Sequence, residues 1–266
     1  MSNEISKSEG GALANVSPSW MNEDRGMGTK DLQKFTIPPR VVVIQPLARE
    51  PLNKYDPGTV LIMPGELVLG EYSKQDKCLK DPLVVVPLFF FAEYTLDNPR
   101  EIWGNHGAVR DRSFEHDSEL AIRSQNPKLR SFPCPELPSK MCSYTTRLHF
   151  IVRFMTDKIS EPCLLTFKRA EMRSGMQLNS LIQSRKAPIF GCQFIFDVGY
   201  RSNDKGQWYG FEISNPPEAI GPWVQNKEVY EAFKAEHLRY AEAHAAKLLT
   251  PEYGAGDEEG ASTPEF

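Results

Sequence analysis

The chain has 266 residues, of which 40% are hydrophobic and 25% charged, and its formal net charge is −4. That is ordinary globular composition, long enough for one large domain or one and a half smaller ones. It contains nothing near the roughly 18 uninterrupted apolar residues of a membrane span. The longest apolar run, residues 83–92, is cut by Pro87, and the opening "MSNEISKSEGGALANVSP" lacks the apolar core of a secretion signal. A soluble, cytosolic protein without a membrane partner is expected. Five cysteines (Cys78, Cys134, Cys142, Cys163 and Cys192), an odd number without a secretion signal, argue against a disulfide framework.

In chain order, residues 1–34 are rich in Gly, Ser and Asn without a sustained period, which predicts a flexible arm. "TIPPRVVVIQPL" opens the ordered part, with Pro38 and Pro39 confining its start to an extended edge and the Val/Ile run reading as strand. "TVLIMPGELVLGEY" predicts two short strands around Pro64-Gly65. "PLVVVPLFFFAEYTL" is apolar at nearly every position, the mark of a strand buried on both faces. Residues 97–140 read as a long loop-rich insertion in which "ELAIRS" alone suggests a strand.

"RLHFIVRF" then alternates, with Leu148, Phe150, Val152 and Phe154 on one face and Arg147, His149, Ile151 and Arg153 on the other. "CLLTFKRA" continues as strand. "EMRSGMQLNSLIQSR" turns helical, with Met172, Met176, Leu178, Leu181 and Ile182 near a 3.6 spacing. "APIFGCQFIFDVGY" and "QWYGFEI" flank "RSNDKG" as a hairpin. "NKEVYEAFKAEHLRYAEAHAAKLL" predicts a last helix capped by Asn226, with Tyr230, Phe233, Tyr240 and Leu248 along one side.

This rhythm predicts a mainly β fold, an OB-like Greek-key barrel with a helix between its third and fourth strands. The predicted organisation is a flexible arm (1–34), an OB-like nucleic-acid-binding domain carrying the insertion (35–225), a C-terminal helix (226–249) and a disordered acidic tail (250–266).

The charge is unevenly placed. Of the 35 acids, five (Glu252, Asp257, Glu258, Glu259 and Glu265) lie in the last seventeen residues without a base, and the other 30 face 31 bases. Residues 140–186 hold nine bases against three acids. A basic middle with aromatic neighbours suits a single nucleic-acid strand, which needs cations along its phosphates and rings for its bases. The candidates are Arg147, His149, Arg153, Lys168, Arg169 and Arg173 for phosphates, joined by Tyr200, Arg201, Lys205, Trp208 and Tyr209 around the hairpin turn.

Two other chemistries are weaker. Cys134, Cys142, His149 and Cys163 could ligate zinc but lack close C-x-x-C pairs, so neither metal nor cofactor is expected. His106, His116, Asp117 and Glu119 in the insertion could suggest a nuclease, without any supporting catalytic motif. The expectation is therefore a non-enzymatic protein.

The terminal "GAGDEEGASTPEF" ends on an aromatic ring beside the free carboxylate, suited to a basic pocket with an apolar slot. An acidic C-terminus closing on Phe after an OB-like basic body resembles the replicative single-stranded DNA-binding proteins of bacteria and their phages. In that family the acidic tip recruits replication and recombination partners, which by likeness assigns partner binding to Asp257, Glu258, Glu259, Glu265 and Phe266. "GMGTKDLQKFTIPPRVVVIQPL", and "LLTFKRAEMRSGMQLNSLI" before "GQWYGFEI", are similar to an uncharacterised family of tailed-phage proteins, which implies a phage protein acting in the host cytoplasm. The expected function is single-stranded DNA binding in phage replication or recombination, compatible with a homo-oligomer. A phage structural or host-takeover interaction protein without DNA binding, and a DNA-processing nuclease, are the alternatives.

Overall fold

The computed structural model describes residues 38–48, 52–204 and 206–249. The expected N-terminal arm, Lys205 and the acidic tail lie outside the described residues. Among the described residues, twelve strands and four α-helices follow one another: β1 Arg40–Val43, β2 Val60–Met63, β3 Leu67–Gly70, β4 Tyr72–Ser73, β5 Cys78–Leu79, β6 Leu83–Asp97, α1 Trp103–His106, β7 Val109–Ser113, α2 Glu119–Gln125, β8 Ser131–Pro133, β9 Met141–Phe154, β10 Cys163–Lys168, α3 Met172–Arg185, β11 Phe194–Asn203, β12 Gly206–Ser214 and α4 Lys227–Ala245. The protein is mainly β, its main sheet curled into a half-barrel.

That sheet runs β12-β11-β6-β9-β10-β1-β2-β3, with β7 extending β6, β8 extending β9, and β4-β5 forming a separate ribbon. Its centre is the antiparallel ladder of β6 and β9, in register from Val85↔Phe154 to Asp97↔Ser143. Pro87 has no N–H to give a central ladder, and the register shifts at Pro87/Phe89, where a bulge absorbs it. β1 joins β10 in parallel, and each of the remaining ladders is antiparallel.

Both faces of the centre are covered. On one, Leu148, Phe150, Val152 and Phe154 join Phe167, Phe194, Phe196 and Phe211 in the main core, against which Leu178 of α3 and Ala121 of α2 pack. Gly175 lets α3 come this close, since a Cβ there would stand 2.9 Å from Phe167 and 3.0 Å from Leu148. On the other face α4 lays Phe233 and Tyr240 over Phe91, Ile151, Leu164 and Phe190. His237 of α4 donates its Nδ1 proton to the Leu88 carbonyl at 2.7 Å.

Most expected elements are present, with four corrections. "ELAIRS" is helix α2, not strand: Ser118 caps it by accepting from the Ala121 N–H, and Glu119 pairs with Arg123 one turn on. The 97–140 insertion is not an irregular loop, because within it β7 and β8 pair antiparallel with the ends of β6 and β9. On α4, Asn226 caps as expected, its Oδ1 accepting from the Glu228 and Val229 N–H groups, but Leu248 is 62% exposed and Leu249 is buried instead. Met176, placed on the apolar side of α3, also faces solvent.

At the β12 end of the sheet, side chains take the place of a further strand. Gln45, just after β1, donates to the Tyr209 carbonyl at 2.9 Å and accepts from the Tyr209 N–H at 3.0 Å. Ser174 and Gln177 of α3 donate to the carbonyls of Phe211 (2.7 Å) and Ile213 (2.8 Å). Gln45 thus ties the β1 side of the sheet to β12 through one amide. Gln45→Ala would orphan a buried N–H and a buried C=O of Tyr209, so we expect a loss of about 1–3 kcal/mol in urea unfolding with the m-value unchanged.

Candidate functional site

The β11–β12 hairpin presents one face through the register pairs Arg201↔Trp208, Gly199↔Gly210 and Asp197↔Glu212. Because side chains alternate with period two, these three pairs share a face, and the middle pair contributes only backbone. The two glycines leave room that neighbouring side chains fill. Glu212 folds across Gly199, where a Cβ would sit 2.0 Å from its Oε1. Glu171 and Arg201 lean over Gly210, with Glu171 Oε1 3.4 Å and Arg201 Cζ 3.6 Å from where a Cβ would be.

Helix α3 supplies the facing wall. A 3-10 turn, Arg169–Glu171, joins β10 to α3, and Arg169 takes a left-handed conformation (φ 50°) that turns the chain toward the cleft. Between helix and hairpin lies a cleft of about 630 Å³ walled by Arg173, Ser174 and Gln177 on one side and by Asp197, Arg201, Trp208 and Glu212 on the other. Arg201 is braced from behind, donating to the Phe211 carbonyl at 3.0 Å and to Ser174 Oγ at 3.3 Å. Asp197 Oδ1 accepts the Leu79 N–H at 2.6 Å and the Val198 N–H at 2.7 Å. Burial pushes the Glu171 carboxyl up to about 7, against the opposing pull of Arg201 and Lys168.

The cleft brings together Arg173, Arg201 and Trp208 of the sequence candidates. Arg173 is exposed, Lys168 and Arg169 are half-buried, and Trp208 is 7% exposed. Tyr200 is 44% exposed and meets Tyr209 edge-on at 5.4 Å, while Tyr209 is buried against Tyr72.

Arg147 and His149 are elsewhere, which corrects their placement on a solvent-facing stripe. β9 lies between β6 and β10 with cover on both sides, so its alternation separates two interior faces, one apolar and one polar. Arg147, 1% exposed, donates to Asp97 Oδ1 at 2.7 Å. His149, fully buried, stacks on Phe91 and lies between Glu93 Oε2 (3.1 Å) and Thr166 Oγ1 (2.9 Å). Burial holds its pKa below the ordinary value although Glu93 pulls the other way. With the imidazole neutral, Nε2–H donates to Glu93 and Nδ1 accepts the Thr166 hydroxyl. Burial penalises the Asp97 carboxylate, but Arg147 overcomes that penalty and holds its pKa below the usual range. Arg153 reaches toward Glu236 at 3.8 Å and over the Phe233 ring, clipping α4 to the sheet.

The metal and catalytic candidates do not converge. Cys134 and Cys142 are neighbours, and burial raises the Cys142 thiol to about 11. Cys163, pushed up to about 12 by burial, belongs to the main core, and His149 to the polar seam. Among the described residues no three His, Cys, Asp or Glu side chains gather as metal ligands. His116 faces the Tyr94 hydroxyl, whereas Glu119 pairs with Arg123. Lys205, Asp257, Glu258, Glu259, Glu265 and Phe266 lie outside the described residues.

Sequence reasoning missed Asp197, Glu212, Glu171 and the two glycines. The signal was present in "DVGYRSNDKGQWYGFE": with Asn203 opposite Gly206, Gly199 and Gly210 are equidistant from the turn and must be cross-strand partners.

Two outcomes follow from these environments. Arg147→Met leaves Asp97 as an uncompensated buried charge and should cost about 3–5 kcal/mol in denaturant unfolding, most of it restored in the Arg147→Met/Asp97→Leu double variant. Because the folded pKa of Glu171 lies above its unfolded value, its charged form opposes folding as pH rises from the ordinary carboxylate range through about 7. Glu171→Gln should therefore melt higher than the parent at pH 8 and at the same temperature at pH 4.

Among the described residues no helix is long and apolar enough to cross a membrane. No curated protein and no solved structure matches the chain. The model of one phage protein family, described as Pam3 phage gp34-like protein, matches residues 8–245. Spanning both the central sheet and the cleft, that match places the chain in the Pam3 phage gp34-like protein family.

Proposed function

We propose that this phage protein binds single-stranded DNA without catalysing a reaction, as part of phage replication or recombination in the host cytoplasm. The observation that carries the reading is the cleft, in which Arg173, Arg201 and the Trp208 indole share one wall-to-wall space of about 630 Å³. Cations and an aromatic side chain on one groove are what strand binding requires. Lys168 and Arg169 lie at the β10–α3 junction that leads to the cleft, while exposed Tyr200 projects from the opposite face of the same hairpin. In this reading the curled sheet serves as an OB-like platform. Arg147 and His149 act inside it, keeping the platform rigid rather than touching phosphate. The acidic end of the sequence, from Asp257 through Glu265 to Phe266, recruits replication or recombination proteins. Its charge disfavours contact with DNA.

Fluorescence anisotropy of a labelled oligo-dT at several salt concentrations tests the reading. Binding should weaken steeply with salt, since phosphate contacts release counterions. Arg173→Ala should weaken binding and flatten the log–log salt slope by about 0.7, one phosphate contact on a single strand. Absence of binding at low salt overturns the proposal.

A further inference from the structure

Two of the five free thiols meet. Cys134 and Cys142, both fully buried, hold their side chains within hydrogen-bond reach of each other. The β8–β9 hairpin brings them there. Phe132 pairs with Cys142 and Pro133 with Met141, and the Cys134 N–H extends the ladder by donating to the Lys140 carbonyl at 2.8 Å. Side chains alternate with period two, so Cys134 shares a face with Phe132 and Cys142 and is the diagonal neighbour of Cys142. Diagonal Cα atoms in a regular ladder are about 7–8 Å apart, slightly more than a disulfide spans. Here the side chains already meet, and the strand that has to shift is lightly held.

β8 is three residues long and, among the described residues, pairs with β9 alone. Pro133, Pro135 and Pro138 have no N–H to donate, and most of residues 131–140 are exposed. A segment with so few backbone hydrogen bonds opens locally at low cost, which gives reagents access to thiols that are covered at rest. Cys134 Sγ donates to Oε2 of exposed Glu136 at 3.3 Å, on the turn of this flap. Cys142 Sγ lies deeper, 4.0 Å from Asn98 Oδ1. The other three thiols are placed differently: Cys163 and Cys192 donate to the Glu161 and Pro188 carbonyls, and Cys78 is partly exposed.

We propose that Cys134 and Cys142 are a thiol–disulfide modification site, converted by a small disulfide such as oxidised glutathione into an intramolecular disulfide that staples β8 to β9. The exchange has two steps. The Cys134 thiolate, on the outer strand, attacks a sulphur of oxidised glutathione, which forms a mixed disulfide and releases one glutathione. The Cys142 thiolate then attacks the Cys134 sulphur of that mixed disulfide, and the second glutathione leaves. The two protein thiols lose two electrons and two protons, which convert one oxidised glutathione into two glutathione thiols. Burial pushes the Cys142 thiol up to about 11, so it rests protonated near neutral pH and the second step quickens as pH rises. The inference is independent of strand binding.

The test uses Lys140, which lies between the two cysteines and is a trypsin site. The full chain is incubated with oxidised glutathione in mildly alkaline buffer, its remaining thiols are alkylated, and it is digested with trypsin for mass spectrometry. Residues 131–140 and 141–147 should run as one species, joined by the disulfide and separated on reduction. Cys142→Ser should stop the exchange at its first step, leaving residues 131–140 carrying glutathione. Cys134→Ser should yield no linked species. Partly exposed Cys78 shows through its own glutathione adduct that the reagent is active. Circular dichroism checks that the parent stays folded during the incubation. If Cys78 reacts while the two peptides stay separate and alkylated, or if either cysteine links to a different one, the proposal is overturned and the contact is core packing alone.

Discussion

The ladder between β6 and β9 is the constraint on which the rest of the structure depends. Two strands of 15 and 14 residues run side by side through the middle of the sheet, and neither is left a solvated face. A sheet buried on both sides must be covered on both sides. Helices α3 and α2 meet the apolar face at Leu148 and Phe150, and α4 meets the other at Phe91 and Ile151. Where that second face turns polar, toward Asp97, the charges have to be neutralised from within. Asp97 answers Arg147, and Glu93 and Thr166 satisfy both nitrogens of His149. Breaking such a pair exposes the full desolvation cost of the partner left behind. The seam therefore reports specificity of the interior, not a surface for ligands.

The cleft is a consequence of the same sheet seen at its end. β12 closes the hydrogen-bonded path, and an edge with unpaired N–H and C=O groups invites unwanted pairing. Here Gln45, Ser174 and Gln177 occupy three successive edge positions, at Tyr209, Phe211 and Ile213. Ser174 and Gln177 do double duty, since the contacts that protect the edge also set α3 at a fixed distance from the hairpin. The two glycines then leave space between helix and strand, and the charged residues collect there. Protection of an edge and construction of a site are one arrangement.

Much of this was legible beforehand. The two-sided burial of "PLVVVPLFFFAEYTL", the helix from "EMRSGMQLNSLIQSR", the hairpin around "RSNDKG" and the Asn226 cap all depend on local periodicity or capping chemistry, which a sequence displays directly. "ELAIRS", misjudged as strand, is helical because Glu119, Leu120, Ala121 and Arg123 are strong helix formers, and a Ser cap and one i,i+4 ion pair support them. The basic alternation of "RLHFIVRF" was misjudged for a different reason. Alternation tells which residues share a face but not what covers that face, and the partners of Arg147 and His149 lie 50 and 56 residues away on β6.

The sequence by itself determined the mainly β character, the positions of α3 and α4, the hairpin, and the uneven placement of charge. Each of these follows from neighbours in the chain. Only the tertiary structure decided which cations are interior and which are accessible, and which acids share a cleft with them. It also decided that Gln45 completes a strand 164 residues away. Burial and hydrogen-bond satisfaction are set by groups distant in sequence, and they decide whether an arginine is a structural counter-charge or a hand for a ligand.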